Sequence, residues 1–532
     1  RSLVAEKLGG VAEELGDGAL AGVGLDSLAM VDVAERLTWV LGVEVTLAEL
    51  WAERPMSALA AGLASRVADA GARVEVAGGD RFAPFPLHGI QQAYWVGRQG
   101  GAGISCHTYF EHDARGIDVD RLERAWQRLV DRHDALRLVF DAEGEQRVLA
   151  EVPAYRFGRE ELRGRPADEQ ERRIAAVRGE LSHQVMPADR WPLFEIRALR
   201  VEDDEAGPRH RLCVSVDLIL VDGASMAMLL REWRALYEGR ELPELPAITF
   251  RDVALAERAQ QASAVWRASL AWWTARRPGF DPAPALPRVR VRAPGRPSFT
   301  RRAATLPDGA WDRLRARAGR RGLTPSMALC AAFAEVIATW SSEPAFMLNL
   351  TTFRRAPIHP RVWELAGDFT TMAFLDCRRD PAADFVAFAR ALQEQLREQL
   401  DHRRVHGLDV VRAWSREGPV AFPVVFTSMV RGDGTAEWQT AWLGEEVHGI
   451  SQTPDVAIDH QILEVDGALV YRWDAMEGVF PAGLLDEMFA AFGRRARALA
   501  DDDAAWEGPR PDLVPASQHA LFAAAHPPPR VW

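Results

Sequence analysis

Apolar residues recur along this chain with two different periods, and the switches between them mark its elements. Between residues 27 and 41, Leu28, Val31, Ala34, Leu37 and Leu41 fall at helical spacing, with Asp32, Glu35 and Arg36 on other faces. The stretch "GLTPSMALCAAFAEVIATWS" (322–341) predicts a buried helix. From 346 the period becomes two: Phe346, Leu348 and Leu350 take one face of a strand, and Asn349 and Thr351 take the other. "VAIDHQILEVDGALVYRW" (456–473) predicts a β-hairpin, two apolar strands about an Asp466–Gly467 turn. "HRLCVSVDLILVDGASM" (210–226) is a long apolar strand that opens onto a helix. Residues 68–84, "ADAGARVEVAGGDRFAP", keep neither period and predict a linker.

A chain of 532 residues predicts one small domain and a large one or two. With 48% apolar residues but no run long enough to cross a bilayer, the class is soluble and globular, with no membrane partner. Basic residues number 64 against 76 acidic, which argues against a nucleic-acid surface. Cys106, Cys213, Cys330 and Cys377 stand far apart in apolar settings. They fit neither a disulfide framework nor a zinc site, and a reducing cytoplasm suits them. The chain shows no HExxH, P-loop or Rossmann glycine pattern, so no metal site is expected. Its start on Arg1, with no signal-peptide pattern, suggests a piece of a longer chain.

Several residues could carry chemistry, each beside a plainer reading. Ser27 stands at a helix start, where a hydroxyl is commonly an N-cap. Asp217 and Asp222 could be paired acid–base carboxylates, or buried groups tied by a cation such as Arg98, Arg132 or Arg137. Asp459, among Ile458, Ile462 and Leu463, should resist ionisation and exchange protons near neutrality; the alternative is a surface-facing strand residue. Thr427 and Ser428 put hydroxyls on an apolar strand, where such groups commonly satisfy a neighbouring carbonyl.

Two resemblances sharpen these readings. "GLDSL", the amphipathic helix after it and "GVEVTLAELWAERP" resemble an acyl or peptidyl carrier domain over residues 1–67, and the ending hints at an aryl carrier. That resemblance implies 4'-phosphopantetheine attached to Ser27 by a separate phosphopantetheinyl transferase. "FPLHGIQQAYWVGR" (85–98), "RHDALRLVF", "GDFTTM", "PVVFTSMV" and "SQTPDVAIDHQ" follow in order and resemble the core motifs of heterocyclization domains of nonribosomal peptide synthetases. Asp217, Asp222 and Ser225 form that family's DxxxxDxxS signature, with Leu218 where ordinary condensation domains place a histidine. His88 replaces the motif's threonine and reads as an exposed or capping residue, while Asp455 replaces a glutamine.

The family implies an α+β fold: a small helical carrier, then two lobes of the chloramphenicol-acetyltransferase type with a tunnel between them. The expected bounds are 1–67 for the carrier, 68–84 for the linker and 85–505 for the catalytic domain. Its lobes would run over about 85–285 and 296–505, with 506–532 leading toward an adenylation domain. The implied reaction condenses a carrier-bound acyl group with Cys, Ser or Thr on a downstream carrier, then removes water to give a thiazoline or oxazoline. In that reading Asp459 is the acid–base group, beside Thr427 and Ser428, and Asn349 orients the carbonyl under attack. Gln452 and Thr453 shape the pocket, and Arg98 belongs to the first motif. An ordinary condensation domain stopping at the amide, or a noncatalytic recruitment module on the same fold, are the alternatives.

Overall fold

The computed structural model describes residues 17–515 and 518, apart from 19, 21–26, 44, 53, 68–78, 100–102, 205–206, 278–282, 290–296, 344, 381–382, 419, 431–439 and 509–510. The side chains of residues 27–29 and 32 also lie outside the described set. The carrier region contributes α1 (Ser27–Leu41), α2 (Leu47–Trp51) and α3 (Met56–Val67). Thr46 caps α2 in a capping box with Glu49. Val31 and Ala34, two residues of the predicted apolar stripe, are buried with Leu47, Leu50, Leu59 and Leu63.

The larger part is built on two mixed sheets with helices packed against them. After α4 (Gln91–Gln99) come β1 (His107–Arg115), α5 (Val119–Arg132), β2 (Gly158–Glu161), β3 (Phe194–Asp204), β4 (Gly207–Asp217), α6 (Gly223–Tyr237) and α7 (Phe250–Gln260). The second half supplies β5 (Phe299–Thr305), α8 (Pro325–Trp340), β6 (Met347–Phe353), β7 (Thr370–Asp376), α9 (Phe385–Asp401) and α10 (Gly407–Trp414). It continues with β8 (Val424–Met429), β9 (Glu445–Gln452), β10 (Ile458–Val465), β11 (Ala468–Met476) and α11 (Leu484–Asp501). The six-stranded sheet runs β7–β6–β8–β10–β11–β5, with β8 parallel to both neighbours.

The five-stranded sheet runs β9–β1–β4–β3–β2. Its edge strand β9 comes from the second half of the chain and pairs antiparallel with β1. The lobes are therefore not contiguous in sequence, as 85–285 and 296–505 had predicted; one strand is exchanged between them. Such an exchange ties the lobes by backbone hydrogen bonds, which do not depend on side-chain identity.

The predicted hairpin is present as β10 and β11, with Asp466 and Gly467 both at positive φ (50° and 79°) in the turn. The helix predicted at 322–341 is α8, capped by Thr324 with Pro325 in its first turn. At the chain's far end Trp506 is buried against Phe385, and Leu513 is also in the core. The packed domain thus continues past the predicted boundary at 505, while 516–517 and 519–532 of the tail lie outside the described residues. The linker's last residues belong to the fold as well, because Arg81 pairs with Asp134 at 2.7 Å.

The carrier sits on the second lobe. The Leu47 backbone N–H donates to Asp401 Oδ1 at 2.9 Å, and Arg403 Nε lies 3.5 Å from Glu35 Oε1. Arg397 stacks over the Trp51 ring at 4.9 Å. Glu35, expected away from the carrier's own core, is buried by this contact. A small cavity joins Val31 of α1 to Ser326, Ser428 and Thr351 of the lobe.

Candidate active site

A cavity of about 620 Å³ lies between the lobes, lined from the first by Tyr94, Leu218 and Asp222 and from the second by Asn349, Thr427 and Asp459. Its size suits a small acyl group and an acceptor together. Alternation along β6 sends Leu348 and Leu350 into the core and leaves Asn349 and Thr351 at the cavity.

Asp459 stands on β10 with its carboxyl buried. Its Oδ1 accepts from Thr427 Oγ1 at 3.1 Å, and its Oδ2 from Gln461 Nε2 at 2.7 Å. The Thr427 hydroxyl is itself held by Thr351 Oγ1 at 2.9 Å. Burial pushes the Asp459 carboxyl up to about 6; the Gln461 hydrogen bond opposes the rise and the nearby Asp474 charge adds to it. Asn349 donates weakly, from Nδ2 to the Met372 sulfur at 3.5 Å, and its buried Oδ1 has no partner among the described residues.

The DxxxxDxxS residues do something else. Asp217 is fully buried, bound by Arg98 and by the Ile219 backbone N–H at 3.1 Å. It does not line the cavity, and burial raises its carboxyl despite the Arg98 charge. Arg98 also donates to the Met186 carbonyl at 2.7 Å, so it fastens the strand end to α4. Asp222 caps α6 by accepting from Ser225 N at 2.6 Å, and it accepts from Phe369 N at 3.1 Å across the lobe junction. Ser225 Oγ donates to the Gly367 carbonyl at 2.9 Å, and Arg355 Nη2 reaches that hydroxyl at 3.0 Å. These groups latch α6 to the GDF segment of the second lobe. Of the three arginines considered for this pair only Arg98 serves it; Arg132 binds Glu232 and Arg137 binds Asp134.

Three expectations are corrected. Ser428 follows Thr427 on β8, so it faces the opposite side of the sheet and shares a 2.8 Å hydrogen bond with Ser326. It is away from the Asp459 cavity and beside the carrier instead. Gln452 pairs with His107 inside the five-stranded sheet and is buried outside the cavity, whereas Thr453 lines it and lies 3.5 Å from the Cys106 sulfur. His88 is not exposed: its Nδ1 meets the Asp368 carbonyl at 3.0 Å and its Nε2 meets Glu257 Oε2 at 2.7 Å. Asp455, the other departure from the motif, lines the cavity at φ 62°.

His88, Glu257 and His406 bring three ligand-type atoms together. Both imidazoles meet one carboxylate oxygen, at 2.7 and 2.6 Å, and Arg354 lies 2.9 Å from the other. Zinc bonds of ~2.0–2.1 Å would hold tetrahedral ligand atoms ~3.3 Å apart, so this spacing is that of hydrogen bonds. The group is an ionic tie between the lobes.

The residues that sequence reasoning missed surround Asp459. Gln461 is two residues along the same strand, and Asp474 is paired with Asp459 across the hairpin. The 466–467 turn fixes that pairing, so Asp474 was readable from register alone. Arg301, bidentate to Asp474 at 2.8 and 2.7 Å, comes from β5 and had no local signal.

Comparisons with known proteins agree with this architecture. The chain matches the Condensation domain family over residues 85–440 and the Phosphopantetheine attachment site family over 1–63. It is 34% identical to the EpoB cyclization-docking bidomain from Sorangium cellulosum, covering 85% of this chain and 93% of that one with a TM-score of 0.76. The phenyloxazoline synthase MbtB of Mycobacterium tuberculosis is 37% identical over 98% of this chain and 38% of its own length. The pyochelin synthetase PchF of Pseudomonas aeruginosa is 37% identical over 90% of this chain and 28% of its own length. The chain thus spans well under half of these curated relatives. Among the described residues no single helix is long and apolar enough to cross a membrane, although one bent pair, Ala310–Arg320 with Pro325–Trp340, passes by length and composition. With a matching family over most of its length and a cyclization domain as a structural relative, the chain belongs to the condensation-domain family, as a nonribosomal peptide synthetase carrier joined to a cyclization domain.

Proposed function

We propose that this chain joins a carrier-bound acyl group to Cys, Ser or Thr on a downstream carrier and closes the amide to a thiazoline or oxazoline. The observation that carries the reading is Asp459: a buried carboxyl with its proton affinity raised to about 6, held by Thr427 in the inter-lobe cavity. The apolar wall of Phe353, Met372 and Phe422, together with the name of the relative MbtB, favours an aryl donor.

Ser27 is the proposed attachment site for 4'-phosphopantetheine. It begins α1, where the helix N-terminus favours a phosphate, and Val31 one turn on meets the small cavity into the second lobe. When bound, that group supplies a thiol that holds the donor as a thioester. The proposed bounds are 1–67 for the carrier, 68–84 for the linker, whose end packs on the first lobe through Arg81, and 85 onward for the catalytic domain. The proposed partners are a phosphopantetheinyl transferase, adenylation domains of the assembly line and the loaded downstream carrier, in the cytoplasm, where four buried thiols stay reduced.

The cavity serves amide formation by alignment, since Leu218 supplies no base and two tethered reactants gain mainly from proximity. The acceptor side chain then attacks the new amide carbonyl, giving a cyclic hemiaminal. Asn349 orients that carbonyl, because the Met372 sulfur is a weak acceptor that a carbonyl oxygen displaces. Protonated Asp459 gives its proton to the departing hydroxyl, and its carboxylate then takes the ring nitrogen's proton. Water leaves, a C=N bond forms and Asp459 returns to its starting state. Near neutrality a group titrating at about 6 populates both forms.

The test is mass spectrometry of the acceptor carrier after one turnover with a benzoyl-loaded donor and a cysteinyl acceptor. A product lighter than the open amide by one water supports ring closure, and an amide that never loses water overturns it. Ser27→Ala should abolish loading from coenzyme A by a broad-specificity transferase with magnesium; persistent loading would refute that site.

A further inference from the structure

Behind Asp459 stands a second carboxylate that does not line the cavity. Asp474 accepts from Arg301 Nε at 2.8 Å, Arg301 Nη2 at 2.7 Å and the Ser451 backbone N–H at 2.8 Å. The Ser451 hydroxyl donates to it as well. Gln461 Nε2 lies 2.7 Å from Asp459 Oδ2, 2.8 Å from Ser451 Oγ and 3.3 Å from Asp474 Oδ2. One amide nitrogen has two protons for these three acceptors. With Ser451 donating onward to Asp474, the protons go to Asp459 and Ser451. A continuous line of hydrogen bonds then runs from Asp459 through Gln461 and Ser451 to Asp474, and Arg301 closes its far end.

We propose that Asp474, clamped by Arg301, is a positioning residue for the Asp459 carboxyl, fixing its orientation through Gln461 and Ser451 and placing a charge behind it. This rests on Asp459 as the reacting group in ring closure. The titratable and charged groups around the line are Tyr94 on α4, Arg301 on β5, Glu446 and His448 on β9, Asp459 on β10, and Arg472 and Asp474 on β11. Glu446 lies 3.6 Å from Arg301 and 3.1 Å from Arg472, so it takes up charge from both cations. Asp474 and Arg301 thus act on Asp459 in opposite senses: the carboxylate favours the retained proton, and the guanidinium favours its loss.

Opposite signs make the test sharp. The substrate-free chain, labelled with 13C-aspartate, is titrated by NMR, and Asp459→Asn identifies the resonance of the reacting carboxyl. Asp474→Asn should lower that midpoint by ~1 pH unit, the lower end of what one neighbouring charge does. Arg301→Gln should raise it, and the double variant should return it toward the wild-type value. Each single variant is assigned its own direction, so whichever of the two folds tests the proposal without the other, and the double variant checks that the two shifts oppose. Midpoints that stay put, or that move the same way in both single variants, overturn the proposal.

A second measurement separates this inference from the ring-closing reading. Dehydration of a benzoyl-cysteinyl thioester should slow above the pH at which Asp459 loses its proton. That alkaline limb should follow each variant's NMR midpoint. A midpoint that moves while the limb stays removes Asp459 from the chemistry and leaves the tuning standing; a limb that moves without the midpoint overturns the tuning.

Discussion

Asp222 and Asp459 line one cavity from opposite lobes, and their surroundings differ in kind. Asp222 is met by two backbone N–H groups, at 2.6 and 3.1 Å, and by Arg355 at 3.4 Å. Those donors cannot leave without opening a helix start and the lobe junction. Asp459 is met by a hydroxyl and a side-chain amide, and Arg301, the guanidinium that acts on its charge, is committed to Asp474. The first is a fastening whose donors are fixed. The second can change protonation without moving the backbone. The aspartate of the family-marking motif and the aspartate proposed for the chemistry are therefore held differently, and their hydrogen-bond partners tell them apart.

The widest separation should come from activity. Asp459→Asn should slow ring closure by ~10²–10⁴-fold, the worth of a positioned acid–base group, or roughly 3–5 kcal/mol of barrier. Amide formation should be spared, leaving the open amide on the acceptor. Thr427→Ala should act in the same direction, with a double variant costing less than the two effects added. Single-turnover mass spectrometry reads all three, and loss of amide formation in folded Asp459→Asn would break the contrast with Asp222.

Stability should rank the two carboxylates the other way round. Asp222→Ala leaves Arg355 buried without its carboxylate and should cost ~3–5 kcal/mol, seen as an earlier urea midpoint at unchanged slope. Asp459→Asn should instead stabilise. The folded value of about 6 lies above the unfolded ~3.9, so the proton's contribution is complete below the unfolded value and is lost as pH rises through 6. At pH 8 the wild type therefore holds an unfavourable ionised carboxyl, and its removal should gain up to ~3 kcal/mol. The gain should vanish near pH 4, and a variant less stable at both pH values would show that Asp459 is itself a fastening.

The smallest effect sharpens the assignment of the neighbouring hydroxyls. Ser428→Ala should change ring closure less than twofold, roughly the ±0.5 kcal/mol of a substitution away from the machinery. A loss comparable to that of Thr427→Ala would place both hydroxyls in the chemistry.

Local periodicity made much of this legible in advance. The hairpin, α8 and the split of β6 into core-facing Leu348 and Leu350 and cavity-facing Asn349 follow from spacing alone. The same alternation could have excluded Ser428, because neighbours on a strand cannot both face one cavity. What stayed hidden was long-range. Nothing near residue 445 announces that β9 joins the other lobe's sheet, and nothing near Asp222 points to Arg355. His88 looked like a surface residue because its partners, Glu257 and the Asp368 carbonyl, are contributed from far along the chain.

The seat of the carrier on α9 turns turnover into a problem of scheduling. Joined to its catalytic domain, the carrier meets that surface at a local concentration on the order of millimolar, so even a weak contact holds it for much of each cycle. A seat of tight apolar packing would lengthen every stay. The Glu35–Arg403 pair works against that, since drying both charges offsets most of their attraction, and burial already pulls the Arg403 guanidinium below its ordinary proton affinity. The same two side chains thus aim the carrier at its seat while adding little to the length of a stay.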